Sequence, residues 1–220
     1  MNPAAEKVRV FSYEVPDQWG GTVRGYDIQV LDQEATVNDY LDALAAFCGA
    51  ILVDCRGCDG CCHERAPMTA IDAEWLAALL PAGKPRYPYH AVVSAFGQCI
   101  VGTDGAVDII LNRRQSACVF LHPTGKFCRI HSRRPFVCRS HFCLPHSERA
   151  EALRGAVANA GEDSLVRLLL EEESRGAPPI LSGVQARDYP LNATWEKHSY
   201  AKIRLQEICN PLLWQELLAE

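Results

Sequence analysis

Four cysteines fall within eight residues, Cys55-Arg56-Gly57-Cys58-Asp59-Gly60-Cys61-Cys62, and four more follow at Cys118, Cys128, Cys138 and Cys143. A C-x-x-C spacing brings two thiolates to one metal through a tight turn. A third cysteine at the same interval extends the loop around a metal ion or cluster. Gly57 and Gly60 suit such turns, because glycine reaches φ > 0 without penalty. Cys61 and Cys62 are adjacent, and neighbouring side chains diverge in extended backbone, so the pair reads as a fork between two sites. One partition gives Cys55, Cys58 and Cys61 a single downstream partner and leaves Cys62 with the other three downstream thiols. Other partitions are open.

The second cluster lies in a basic island formed by Arg129, Arg133, Arg134 and Arg139 with His131 and His141. Such an island can be an anion site for a substrate, a nucleotide or a partner's acidic surface. The weightier reading is local, because thiolate–metal sites are negative and nearby guanidinium groups offset that charge. Cys48, Cys99 and Cys209 sit among apolar residues and read as packed core thiols. A nucleophilic pairing of one thiol with His141 is disfavoured, since these thiols are spaced to share a metal.

These clusters need elements to position them. Lys7–Tyr13 and Tyr26–Leu31 alternate as two strands, with Gly20-Gly21 between them. Val37, Tyr40, Leu41, Leu44, Ala45 and Cys48 fall at helical spacing behind a Thr36/Asp39 capping pair, and Thr69 with Asp72 starts a second helix before Trp75. The stretch from Pro81 to Pro88 has loop composition. Ala91–Val101 and Val107–Leu111 are β-branched and read as a hairpin turning at Thr103-Asp104-Gly105. Cys118–Cys143 lacks periodicity, and irregular loops with short helical turns are expected there. Glu148–Glu173 is helical, with an interruption expected at Gly161. After Gly176-Ala177-Pro178-Pro179, a last helix carrying His198, Ala201, Leu205 and Ile208 is expected to stop at Asn210-Pro211.

Composition bounds the function. With 48% hydrophobic and 22% charged residues, the chain is of the globular type. A net charge of −5 argues against broad binding to a nucleic-acid backbone. Glu6, Lys7 and Arg9 have no apolar run behind them, so neither a signal peptide nor a membrane span is expected, and a cytoplasmic location follows. The 11 cysteines are an odd number in a chain of ordinary size, which favours metal ligands in a reducing compartment over disulfides.

The order C-x-G-C-x-x-C-C, Met68-Thr69-Ala70-Ile71-Asp72-Ala73-Glu74, Ala117-Cys118-Val119-Phe120-Leu121, Gly125-Lys126-Phe127-Cys128-Arg129-Ile130-His131 and Arg134-Pro135-Phe136-Val137-Cys138-Arg139 resembles the YkgJ-type CxxCxxCC family. The resemblance covers roughly Cys55 to Cys143. It implies a zinc- or iron-chelating domain, often described as an iron–sulfur oxidoreductase, and some relatives resemble flagellin lysine methylases. His131 stands where the family usually has tyrosine. Ser140-His141-Phe142-Cys143 replaces a common Phe-Pro-Cys ending. Both departures make His131 and His141 candidates to join the site.

An α+β fold is expected. Residues 1–50 form a strand–strand–helix unit, residues 51–147 a cysteine-cluster domain with a hairpin, and residues 148–220 a helical part. The expected ligands are Cys55, Cys58, Cys61, Cys62, Cys118, Cys128, Cys138 and Cys143, with Arg129, His131, Arg134, Arg139 and His141 around them. All-thiolate coordination suits zinc and iron–sulfur alike. The C-x-x-C-x-x-C run leans toward a [4Fe–4S] cluster, with zinc the alternative. An iron–sulfur centre implies redox chemistry with a protein partner, and zinc implies a metal-stabilised binding module. Neither a membrane nor a nucleic acid is an expected partner.

Overall fold

The computed structural model describes residues 6–16, 19–51, 57–80, 85–103, 106–141, 143–184 and 199–218, with the side chains of Ile51 and Ser132 excepted. The fold is α+β, with small antiparallel sheets and seven α-helices among the described residues. It divides into two compact units, Met1–Val53 with Arg139–Val157 and Ala201–Glu220, and Asp54–Cys138 with Ala158–Tyr200. No described helix is long and apolar enough to cross a membrane.

In the first unit, β1 (Val8–Pro16) pairs antiparallel with β2 (Thr22–Val30), in register from Val8 opposite Val30 to Pro16 opposite Thr22. The alternation in β2 buries Tyr26, Ile28 and Val30 on one face. Helix α1 (Val37–Ile51) packs on β1 and buries Val37, Tyr40, Leu41, Leu44 and Phe47. Its start is tied as expected, since Thr36 donates both its N–H and its hydroxyl to Asp39 Oδ2 at 2.8 and 2.7 Å. Arg149 grips Asp27 bidentately, Nε to Oδ1 at 2.8 Å and Nη2 to Oδ2 at 2.6 Å, and Ser147 donates to the same carboxylate. Partial burial opposes ionisation of Asp27, but the hydrogen bonds from Arg149 and Ser147 outweigh it and hold the carboxyl below its usual range.

In the second unit, α2 (Ala70–Leu76) leads to α3 (Pro88–Phe96), followed by the hairpin β3 (Gly97–Val101) and β4 (Val107–Leu111). The expected strand Ala91–Val101 is thus half helix. An apolar β-branched run does not distinguish a buried helix from a strand, and Pro88 at the first helical turn decides it. Buried Glu172 completes the start of α3 by accepting from the N–H groups of Tyr89 and His90 at 3.2 and 2.8 Å. The expected turn residues Asp104 and Gly105 lie outside the described residues.

Two short antiparallel strands follow, β5 (Arg113–Arg114) and β6 (Ala117–Cys118), and then α4 (Phe136–Arg139). The rest of this region is turns and a 3-10 helix at His131–Arg133, as its lack of periodicity implied. Helix α5 (Glu148–Ser174) is continuous, so Gly161 does not interrupt it. Glycine is needed for space instead: a Cβ there would stand 2.7 Å from Thr69 Cβ and 2.9 Å from Tyr200 Cε1.

The C-terminal reading also needs correction. The helix α6 (Leu205–Ile208) does stop before Asn210-Pro211, but it is short, Ala201 lies in a separate 3-10 turn (Tyr200–Lys202), and Asn210-Pro211 also starts a further helix, α7 (Pro211–Leu217). Asn210 Oδ1 accepts from Leu213 N–H at 2.9 Å, with proline at the first helical position. His198 lies outside the described residues.

Glu162 of α5 accepts from Ile109 N–H of β4 at 2.6 Å. Burial first, then the charges of Asp108 and Asp163, push its carboxyl up to about 7, against the Ile109 hydrogen bond. A carboxyl raised above its ordinary 4.5 stabilises the fold most below that value and loses the contribution as pH rises through about 7. Glu162→Gln keeps an oxygen for Ile109 and should be more stable than wild type by about 1–2 kcal/mol at pH 8, a figure discounted for solvent screening. Denaturant melts from pH 4.5 to 8 check this, and a difference that does not grow with pH refutes it.

Candidate metal centre

Each cysteine loop of the second unit is fixed by backbone bonds that local sequence explains. Gly57, at φ +83°, donates its N–H to Lys126 O at 2.9 Å, which joins the first cysteine loop to the second. Gly60–His63 forms a 3-10 turn in which Cys62 N–H donates to Asp59 O at 2.9 Å. The β5–β6 turn places both Gln115 and Ser116 at φ > 0, the geometry of the tightest hairpins. Arg113 holds this turn against the first loop by donating to Ser116 O and to His63 O. Cys128 bridges back to Leu121 next to a turn in which His122 Nδ1 accepts from Gly125 N–H at 3.0 Å. The His122 ring stacks on Phe127 with centroids 4.7 Å apart.

Cys138 lies in α4 and is placed by a residue far away in sequence. Asp72 is fully buried, and its Oδ2 accepts from Thr69 N–H and hydroxyl, both at 2.8 Å, closing the capping box of α2. Its other oxygen, Oδ1, accepts from Phe136 N–H at 2.7 Å and so fixes the first turn of α4. The sequence shows Asp72 as a helix cap, and only the structure shows the second bond.

These loops line a cavity, partly open to solvent, whose walls include Cys58, Cys61, Cys62, Cys118, Cys128 and Cys138. Six of the eight expected ligands therefore meet at one place. Arg134 and His131 also line it, as do Glu64 and the apolar Ala66, Leu111, Phe120, Ile130 and Pro135, none of which the sequence marked. Arg129 is exposed beside Cys128. Cys143 belongs to the first unit, where it is exposed at φ +55°, and Arg139 and His141 belong to that unit too. Cys55 lies outside the described residues.

The expected divergence of Cys61 and Cys62 presumes extended backbone, whereas the 3-10 turn sends both side chains to the same cavity. Burial pushes the Cys62 thiol up to about 12, aided by the Cys61, Cys118 and Cys128 sulfurs around it. Burial likewise raises Cys138 and Cys118, again with neighbouring cysteines contributing. Crowded, desolvated thiols keep their protons until a cation draws them off. Among the described residues, no three His, Cys, Asp or Glu side chains already stand in metal-holding geometry.

The second unit is thus defined by a thiol-lined cavity held between two loop segments, the architecture of a cysteine-cluster domain. Residues 54–156 match the model of the CxxCxxCC family, described as a "putative zinc- or iron-chelating domain". Neither the curated proteins nor the solved structures yield a match.

Asp72→Ala leaves Phe136 N–H without its buried acceptor and should cost about 1–3 kcal/mol for that bond. Thr69→Ala loses only the cap, at about 1 kcal/mol. If Asp72 positions Cys138, alkylation of Cys138 in metal-free protein accelerates more in Asp72→Ala than in Thr69→Ala at equal fractional stability. Equal acceleration would reduce Asp72 to a cap.

Proposed function

We propose that this domain is a redox centre, in which four thiolates drawn from Cys58, Cys61, Cys62, Cys118, Cys128, Cys138 and the neighbouring Cys55 hold iron as an iron–sulfur cluster of the [4Fe–4S] type. The observation that carries this reading is the convergence of six thiols from two sequence segments on one cavity. Thiolate is the ligand that soft metals and iron–sulfur clusters select, so the donor set fits the group. When bound, such a cluster supplies one-electron chemistry. Arg134 at the cavity wall offsets thiolate charge, and the apolar walls limit water. The protein then acts in the cytoplasm as an electron carrier or oxidoreductase with a protein partner.

The convergence of Cys61 and Cys62 favours one shared centre over two separate ones. Cys61→Ser and Cys62→Ser should each lose most of the metal, and the double variant little more. Additive, spectroscopically distinct losses would restore two centres.

The metal decides between this reading and its alternative. Anaerobically purified protein should be brown and contain iron with acid-labile sulfide. Colourless protein containing zinc would instead make the domain a zinc-stabilised binding module or an accessory to a protein-modifying enzyme, a reading that the family description, which names zinc or iron, equally accommodates.

Either metal must displace thiol protons, because burial and neighbouring sulfurs hold Cys62, Cys118 and Cys138 protonated at neutral pH. Apparent affinity in chelator competition should therefore rise with pH, by about tenfold per unit for each proton released. Zinc can be used as the probe metal, and an affinity flat from pH 6 to 9 would show that these thiols are not the ligands.

A further inference from the structure

Between Asp108 and Glu148 the chain has no aspartate or glutamate, although the protein as a whole is acidic. The cations of this stretch divide in the structure. Arg134 lines the thiol cavity, where it can offset thiolate charge, whereas Arg114, Arg129 and Arg133 are exposed. Among the described residues the guanidinium groups of these three meet no carboxylate, carbonyl or ring, although the N–H groups of Arg129 and Arg133 donate to Phe120 O and Ile130 O. Elsewhere Arg149, Arg154 and Arg204 each grip a carboxylate at 2.6 to 2.8 Å. Arg129 sits between the lining residues Cys128 and Ile130, and Arg133 precedes the lining Arg134. Phe127, 39% exposed, lies beside Cys128, and its ring is held by the His122 stack. A fixed exposed aromatic among unpaired arginines is the composition that protein interfaces favour.

We propose that this rim is a docking surface for an acidic segment of a partner protein. Exposed cations screened by water do little for the charge of an interior site. They do steer an anionic surface to the cavity against the repulsion of its thiolates. An acidic polypeptide is favoured over a nucleic acid because the chain carries a net charge of −5. The proposal rests on the metal-centre reading only for what the partner meets there, since the surface itself does not require metal.

The test uses the full-length protein with fluorescent poly-L-glutamate as the probe and (dT)12 as the competing polyanion, by anisotropy at 20 and 200 mM salt. Arg114→Glu/Arg133→Glu should weaken poly-glutamate binding at least tenfold. The charge-matched control Arg9→Glu/Arg24→Glu, in which Arg24 also lacks a described partner, should change it less than twofold. Metal content, measured in the same samples, should be unchanged. Wild-type protein that binds poly-glutamate but holds no metal refutes the metal centre and leaves the docking surface standing. Absence of binding at 20 mM salt, equal effects of the two double variants, tighter binding of (dT)12, or loss of metal with binding intact would each overturn the docking proposal.

Discussion

A carboxylate with no exposure to water organises the second unit. Asp72 cannot be buried as a charge unless its oxygens are met by donors, and three of these come from two places: the start of its own helix and the first turn of the helix that carries Cys138. The three bonds therefore tie the order of α2 to the placement of a thiol more than sixty residues later in sequence. Gly161 reinforces the arrangement, since the lack of a Cβ lets Thr69 approach α5 closely. Through Thr69 and Asp72, the long helix, the capping box and the Cys138 turn become one packing problem.

Around that anchor the cysteine loops have little hydrophobic content of their own. They are joined by the main-chain bond from Gly57 to Lys126, by the Arg113 guanidinium donating to His63 O and Ser116 O, and by the Asp59–Lys126 ion pair at 3.5 Å. Exposed ion pairs contribute little, so the frame fixes loop order more than it fixes sulfur positions. That explains how six thiols can share one cavity without standing in coordination geometry. Coordination would supply the missing order, and the free energy of ligand binding becomes free energy of folding.

What was legible in the sequence follows the range of the interactions. The β1–β2 pair, the Thr36/Asp39 and Thr69/Asp72 caps and the irregular cysteine segment depend on neighbours a few residues apart, and all are visible in the chain. The first half of Ala91–Val101 was not, because Val92 and Val93 are equally at home on a buried helix face. Gly161 was misread, and the helix that opens at Asn210-Pro211 went unseen, for a related reason: glycine as a space-maker and proline as a helix opener resemble breakers until their surroundings are known. At the centre, spacing identified the thiols but not their directions. Adjacent cysteines diverge or converge according to backbone torsion, and the 3-10 turn at Gly60–His63 is stabilised by bonds that spacing does not encode.

The N-terminal strands lie outside the segment that matches the family, yet they organise the surroundings of Cys143. Tyr26 of β2 is buried; its hydroxyl donates to Ser140 O at 3.1 Å and its N–H donates to Pro145 O at 2.9 Å. One residue thus holds the chain on both sides of Cys143. Burial pushes the Tyr26 phenol up to about 12, so it remains a donor across the physiological range. Between these two attachments Cys143 adopts a left-handed backbone, a conformation that costs a non-glycine residue about 1–2 kcal/mol. A strained cysteine persists where its surroundings over-determine it, and here β2 provides them. The placement of this thiol is therefore a property of the whole chain, not of the cysteine-rich segment alone.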